Sequence, residues 1–200
     1  MTHKGPTIGE MIEMVARHTG LPEASLRIYA RVLREAGLLS TGARGVNAPP
    51  MTWLDLSRFL IALLGTGVAA RAADAVKDFG EMVVADHPTP LATVQSEDDT
   101  RTFEQALADQ LQAASTVSPA LAGYVFVERS TLGARIHAMN GEFVEFVHPF
   151  EIVATADKTD EGDAIYRAWK DKCARYSSKI EISAQLGFQL IHDLSREFAS

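Results

Sequence analysis

Two amphipathic periods separated by only Gly20-Leu21-Pro22 place the strongest constraint on this chain. Ile8, Met11, Ile12, Val15 and Thr19 recur at helical spacing, and Leu26, Tyr29 and Leu33 do so again after the break. Thr7 and Glu10 have capping-box spacing, in which the hydroxyl and the carboxylate each satisfy a backbone donor at the helix start. Gly20 is placed to stop the first helix. Pro22 suits the first turn of the second, where its missing N–H has no partner to lose. The second helix is predicted from about Pro22 to Ala36, with Gly37 ending it. The chain must therefore begin as two short helices joined by a tight turn.

Further along, Ser40–Pro50 is rich in Gly, Ala, Ser and Pro and reads as a loop or hairpin. A third helix opens at Thr52, with Asp55 three positions on, and continues through Leu64. It is apolar nearly all round (Trp53, Leu54, Leu56, Phe59, Leu60, Ile61), which predicts burial or an interface. Gly65-Thr66-Gly67 breaks it, and a fourth helix is expected from Val68 to about Val84. His87-Pro88-Thr89-Pro90 excludes helix and marks a boundary. The acidic Glu97-Asp98-Asp99 then precedes a helix with Phe103, Leu107, Leu111 and Ala114 on one face, where it complements the positive helix start.

The texture changes at Pro119. Tyr124–Val127, Arg135–Met139 and Glu142–His148 read as strands, with Asn140-Gly141 as a two-residue hairpin turn. A short strand is expected at Lys179–Ile182, between helices over Asp160–Tyr176 and Ser183–Phe198. The predicted fold class is α+β, mainly helical: a helical domain over 1–86, a linker over 87–97, and an α+β domain over 98–200. The second domain comprises a helix, a small antiparallel sheet and two C-terminal helices.

Two hundred residues allow one or two compact units, and 46% hydrophobic with 22% charged residues excludes wholesale disorder. The single Cys173 cannot form an internal disulfide, and no Cys/His pair has zinc-site spacing, so a reducing, cytoplasmic setting is expected. Met1–Pro6 lacks the apolar stretch of a secretory signal, and Leu60–Ala70, interrupted by Gly65 and Gly67, is too short for a bilayer. A net charge of −7 argues against a chain coated with nucleic acid throughout. Yet residues 1–50 carry Lys4, Arg17, Arg27, Arg31, Arg34 and Arg44 against Glu10, Glu13, Glu23 and Glu35. The N-terminal part is basic relative to an acidic body, as a local anion-binding surface requires.

At 100° per residue, Arg27, Arg31 and Arg34 fall along one side of the second helix, opposite Leu26, Tyr29, Leu33, Ala36 and Gly37, with Ser25 near its start. A helix of this width fits a DNA major groove, where arginine bonds phosphates or guanine edges. Glu23 and Glu35 also stand four residues from Arg27 and Arg31, which is the spacing of surface ion pairs.

Glu10–Gly45 resembles the helix-turn-helix part of winged-helix DNA-binding proteins. The matching pieces are the Thr19-Gly20-Leu21 turn, Ser25–Arg34, the Leu33–Leu39 exit and the glycine-containing Ser40–Gly45. Pro49 and Pro50 depart from that family's alternating wing. The resemblance implies a winged-helix-like first domain that contacts double-stranded DNA through Ser25, Arg27, Arg31 and Arg34, with Arg44 reaching a phosphate or the minor groove. The general layout is also similar to DNA-associated proteins of tailed phages and prophage-like elements. These likenesses imply a homo-oligomeric bacterial or phage-type regulator, with a small-terminase-like packaging role as a variant and the C-terminal unit free for a protein partner.

Two other classes remain. An adaptor or assembly factor without nucleic-acid binding would use the apolar third helix and the alanine-rich fourth as a close-packed surface. A metalloenzyme or hydrolase would need His137 and His148 to converge across the hairpin with Glu142 and Glu145. No Walker loop, dinucleotide fingerprint or nucleophile elbow is present, and Asp157, Asp160, Glu161 and Asp163 lack EF-hand order. The expectation is a non-enzyme with no cofactor and no metal.

Overall fold

A computed structural model describes residues 5–42, 49–85, 100–117, 123–137, 143–150, 160–176 and 183–200. Helix α1 (Ile8–Thr19) starts at a reciprocal capping box: Thr7 N–H donates to Glu10 Oε2 at 2.7 Å, and Glu10 N–H donates to Thr7 Oγ1 at 3.3 Å. Helix α2 (Glu23–Glu35) follows, with Pro22 at its N-cap rather than inside its first turn. Helix α3 (Trp53–Gly65) opens at a second capping box, Thr52 with Asp55, and runs through the centre of the molecule. Its Leu56, Phe59, Leu60 and Ile61 are fully buried. Burial of each such side chain is worth roughly 1.5–3 kcal/mol, which makes α3 the beam against which the other elements stack.

The expected fourth helix is shorter than its pattern. A 3-10 turn occupies Ala69–Arg71, α4 covers only Ala72–Gly80, and Val83–Val84 is the edge strand β1. Val83 and Val84 pair with Val147 and Phe146, so two β-branched residues join a sheet where a continued helix would leave that strand edge unpaired. Helix α5 (Phe103–Ala114) carries the predicted apolar face, and Phe103 meets Phe146 of the sheet at 5.3 Å between ring centroids.

The sheet is antiparallel, in the order β1-β4-β3-β2-β5, with β2 over Tyr124–Glu128, β3 over Gly133–His137 and β4 over Phe143–Val147. Strand β3 begins two residues before the expected start. The Asn140-Gly141 turn and the strand expected at Lys179–Ile182 lie outside the described residues, as do the linker residues 87–97. Val125, Val127, Ala134, Phe146 and Leu186 are buried on the inner face. Leu132, in the turn between β2 and β3, adopts a left-handed φ of 53° and is fully buried. That backbone costs ~1–2 kcal/mol, a penalty of the same size as the gain from burying its side chain.

Helix α6 spans Asp160–Tyr176. The sequence pattern predicts one helix over Ser183–Phe198. Instead Ser183–Leu186 is strand β5, Gly187 is an N-cap, and α7 covers Phe188–Phe198. Pairing with β2 satisfies the outer edge of the sheet and sets Leu186 opposite Val125, which overrides local helical preference. Helix α7 returns to α1, where Glu197 accepts from His18 Nε2 at 2.8 Å and also pairs with Arg17. One buried cluster contains Met11 and Leu33 together with Phe59, Phe103, Val125 and Leu194. No helix among the described residues is long and apolar enough to cross a membrane.

Candidate nucleic-acid interface

The turn between α1 and α2 is built by one left-handed glycine and one hydroxyl. Gly20 takes φ 70° and donates its N–H to Ala16 O at 2.9 Å. Thr19 Oγ1 donates back to Val15 O at 2.6 Å and accepts from Leu21 N–H at 3.2 Å. At the far end of α2, Gly37 takes φ 71°, with Gly37 N–H bonded to Arg34 O and Leu38 N–H to Leu33 O. These two bonds form a Schellman stop. The length and direction of α2 are thus fixed by local chemistry at both ends.

The inward side of α2 is Leu26, Tyr29, Ala30 and Leu33, all buried, and Tyr29 Oη donates to Thr66 O at 2.9 Å. Burial holds the Tyr29 phenol above its ordinary pKa, so it remains a donor. Outward stand Ser25, Arg27, Arg31 and Arg34, all exposed; Ala36 and Gly37, expected on the packing side, are exposed as well. Arg27 Nε donates to Glu23 Oε1 at 2.8 Å, and Arg31 Nε lies 3.9 Å from Glu35 Oε1. No ion pair involves Arg34 among the described residues. Exposed pairs four residues apart contribute only ~0.3–0.5 kcal/mol, so both guanidinium groups can be redirected toward a phosphate at little cost. Glu10 is committed to the capping box of α1, and Arg17 to Glu197, so neither takes part in this face.

Arg44 lies outside the described residues, but the base of the connection that carries it is well defined. The buried carboxylate of Asp55 accepts from Ser40 N–H at 2.7 Å and Ser40 Oγ at 2.8 Å on the entering side. It accepts from Thr52 N–H and Thr52 Oγ1, both at 2.7 Å, on the leaving side. A Cβ on Gly42 would come within 2.6 Å of Pro49 Cδ, so the two arms touch. The Thr52–Asp55 spacing announces the cap; nothing local in the sequence announces the bonds to Ser40. Asp55 is therefore a positioning residue for the connection that sequence reasoning missed.

A second group of charges lies at the junction of α4, β4 and α6. Asp78, only 4% exposed, accepts from Lys172 Nζ at 2.7 Å and from Tyr176 Oη at 2.8 Å, and Arg175 approaches to 3.6 Å. His148 Nδ1 accepts from Phe150 N–H at 3.2 Å, and its Nε2 lies 3.2 Å from Lys172 Nζ. Burial, and then the Lys172 charge, depress the His148 pKa to about 4. Burial and the Asp78 carboxylate push the Tyr176 phenol far up. Asp78 thereby ties Lys172 and Tyr176 of α6 to α4, with the His148 ring beside Lys172 but not bonded to it, an arrangement that fastens α6 to the body of the protein.

The two hairpin histidines do not converge. His137 pairs across from Phe143 and is stacked between Tyr124 and Phe143, whereas His148 lies beyond Val147 at the opposite end of the β3–β4 ladder. Glu145 is bonded to Arg135 at 2.8 Å, and Glu142 lies outside the described residues. No group of three His, Cys, Asp or Glu side chains that could hold a metal exists among the described residues. No protein-family model, curated protein or solved structure matches this chain.

Proposed function

We propose that the chain binds double-stranded DNA as a bacterial or phage-type regulator, with α2 entering the major groove. The observation that carries this reading is the two-sidedness of α2. Its packing face is buried and its C-terminal end is closed by the Gly37 stop, while Ser25, Arg27, Arg31 and Arg34 all face solvent. Arginine neutralises phosphates and releases their counterions, and one or two base contacts supply specificity. Arg44, on the connection clamped by Asp55, reaches the backbone or minor groove beside it. A cytoplasmic homo-oligomer follows from this role, and ring-like assembly would distinguish a small-terminase-like packaging protein from a regulator.

Fluorescence anisotropy against random-sequence duplexes at low ionic strength tests the reading. The chain should bind, and Arg27→Ala with Arg31→Ala should lower affinity at least ~10-fold while the circular dichroism spectrum stays the same. Absence of binding by the unaltered chain overturns it. The alternative is an adaptor without nucleic-acid affinity, which the net charge of −7 favours. The apolar third helix and the alanine-rich fourth, its expected surface, bury Leu56, Phe59, Ala72, Ala75 and Val76 within the chain's own core instead.

A further inference from the structure

We propose that His148 is the sensor of an acid-sensitive latch on α6, and that mild acid releases this helix while the rest of the chain stays folded. The proposal is independent of the duplex-binding reading. Helix α6 is docked by its end. Its Cys173 and Tyr176 are buried, whereas Asp163, Tyr166, Arg167, Lys170 and Asp171 stand in solvent. Its ties to α4 come from the last turn and a half: Lys172 Nζ and Tyr176 Oη both donate to Asp78, and Arg175 approaches the same carboxylate. The Arg71 guanidinium adds a bond to Arg175 O. Further up the helix, Trp169 Nε1 is buried without a hydrogen-bond partner among the described residues, so that contact opposes docking. A helix held at one end can leave without dismantling the core.

His148 stands against this anchor, 2% exposed. Its Nδ1 accepts from Phe150 N–H, so the neutral ring carries its proton on Nε2, where it meets Lys172 Nζ at 3.2 Å: two donors face each other. Protonation takes the acceptor from Phe150 N–H and sets a second positive charge against Lys172. The charged and titratable groups around the ring are Lys172, Arg175 and Tyr176 of α6 and Asp78 of α4, with Asp74 beside Tyr176. Asp78 favours a charged ring, but its carboxylate is already engaged by Lys172 and Tyr176. Burial and the Lys172 charge outweigh it and hold the ring's pKa at about 4. Release of α6 carries Lys172 away and admits water, so the released state takes up its proton near the ordinary 6.5. Docking is therefore fully favoured above pH 6.5 and weakens as pH falls from there toward 4.

Cys173, the chain's single cysteine, is buried in the docked end of α6 and reports release. The probe is 4,4′-dithiodipyridine, which reacts with thiols in acid as well as at neutral pH. Each rate is divided by that of the urea-unfolded protein at the same pH. Between pH 7.5 and pH 5 the corrected rate should rise about 25-fold, with the circular dichroism spectrum unchanged. His148→Gln should label as slowly at pH 5 as the unaltered chain does at pH 7.5. Lys172→Met, which removes the opposing ammonium, should label faster at pH 7.5 and show a smaller rise in acid. A rise of undiminished size in His148→Gln overturns the proposal, as does labelling that increases only in step with loss of helicity. If His148→Gln labels fast at both pH values, Lys172→Met decides: a full 25-fold rise in that variant overturns the latch, and a reduced one sustains it.

Discussion

The α2 face and the Asp78 cluster use the same ion-pair chemistry in opposite surroundings. On α2, Arg27 and Arg31 pair with Glu23 and Glu35 on their own helix, in solvent, across side chains that are 43–69% exposed. At Asp78 the carboxylate is 5% exposed and its partners come from another element nearly a hundred residues away. Water has already screened the first set, so those charges are available to a partner. The second set has been removed from water, so each member depends on the others. One group stays in solvent, paired only along its own helix, and the other is committed to the fold.

That contrast is sharpest in stability. Asp78→Ala leaves the Lys172 ammonium and the Tyr176 hydroxyl without their shared acceptor and should cost about 3–5 kcal/mol in urea denaturation. A loss comparable to that of a surface pair would erase the distinction. The pH dependence is nearly as large. His148 is neutral in the fold, and protonation would place an imidazolium 3.2 Å from Lys172 Nζ. Its stabilising contribution is complete above its ordinary pKa of 6.5 and is lost as pH falls from there to about 4, where the folded protein also takes up the proton. The total is roughly 3 kcal/mol, and His148→Gln should flatten the stability curve across that window.

Asp55 stands between the extremes. Asp55→Asn removes a carboxylate that accepts from both ends of the connection and should cost about 2 kcal/mol, read as a lowered Tm. It should also speed proteolysis within residues 41–51. The smallest stability effect belongs to α2: Arg27→Ala with Arg31→Ala, which removes two exposed pairs, should shift unfolding by no more than ~1 kcal/mol. A much larger loss would mean that these arginines serve the fold.

The parts of this molecule legible in its sequence are those decided within one or two helical turns. The Thr7–Glu10 and Thr52–Asp55 caps, the Gly20 and Gly37 stops and the 4-residue pairs of α2 need no distant partner. β1 and β5 escaped because both are edge strands. Val83–Val84 and Ser183–Leu186 carry no strong local strand signal and gain their conformation from β4 and β2. Asp55's hold on Ser40 and the gathering of Asp78, His148, Lys172 and Tyr176 are products of packing, so no spacing reveals them. The arginine stripe was visible from periodicity alone, and so was its compensation by Glu23 and Glu35.

The most direct test is the salt dependence of duplex affinity for the unaltered chain and for a variant with Arg27, Arg31 and Arg34 all changed to alanine. Each phosphate contact contributes about 0.9 to the slope of log K against log salt, so the variant's slope should be shallower by roughly 2–3. Equal slopes for the two proteins would show that these guanidinium groups do not meet phosphates, and would contradict the account.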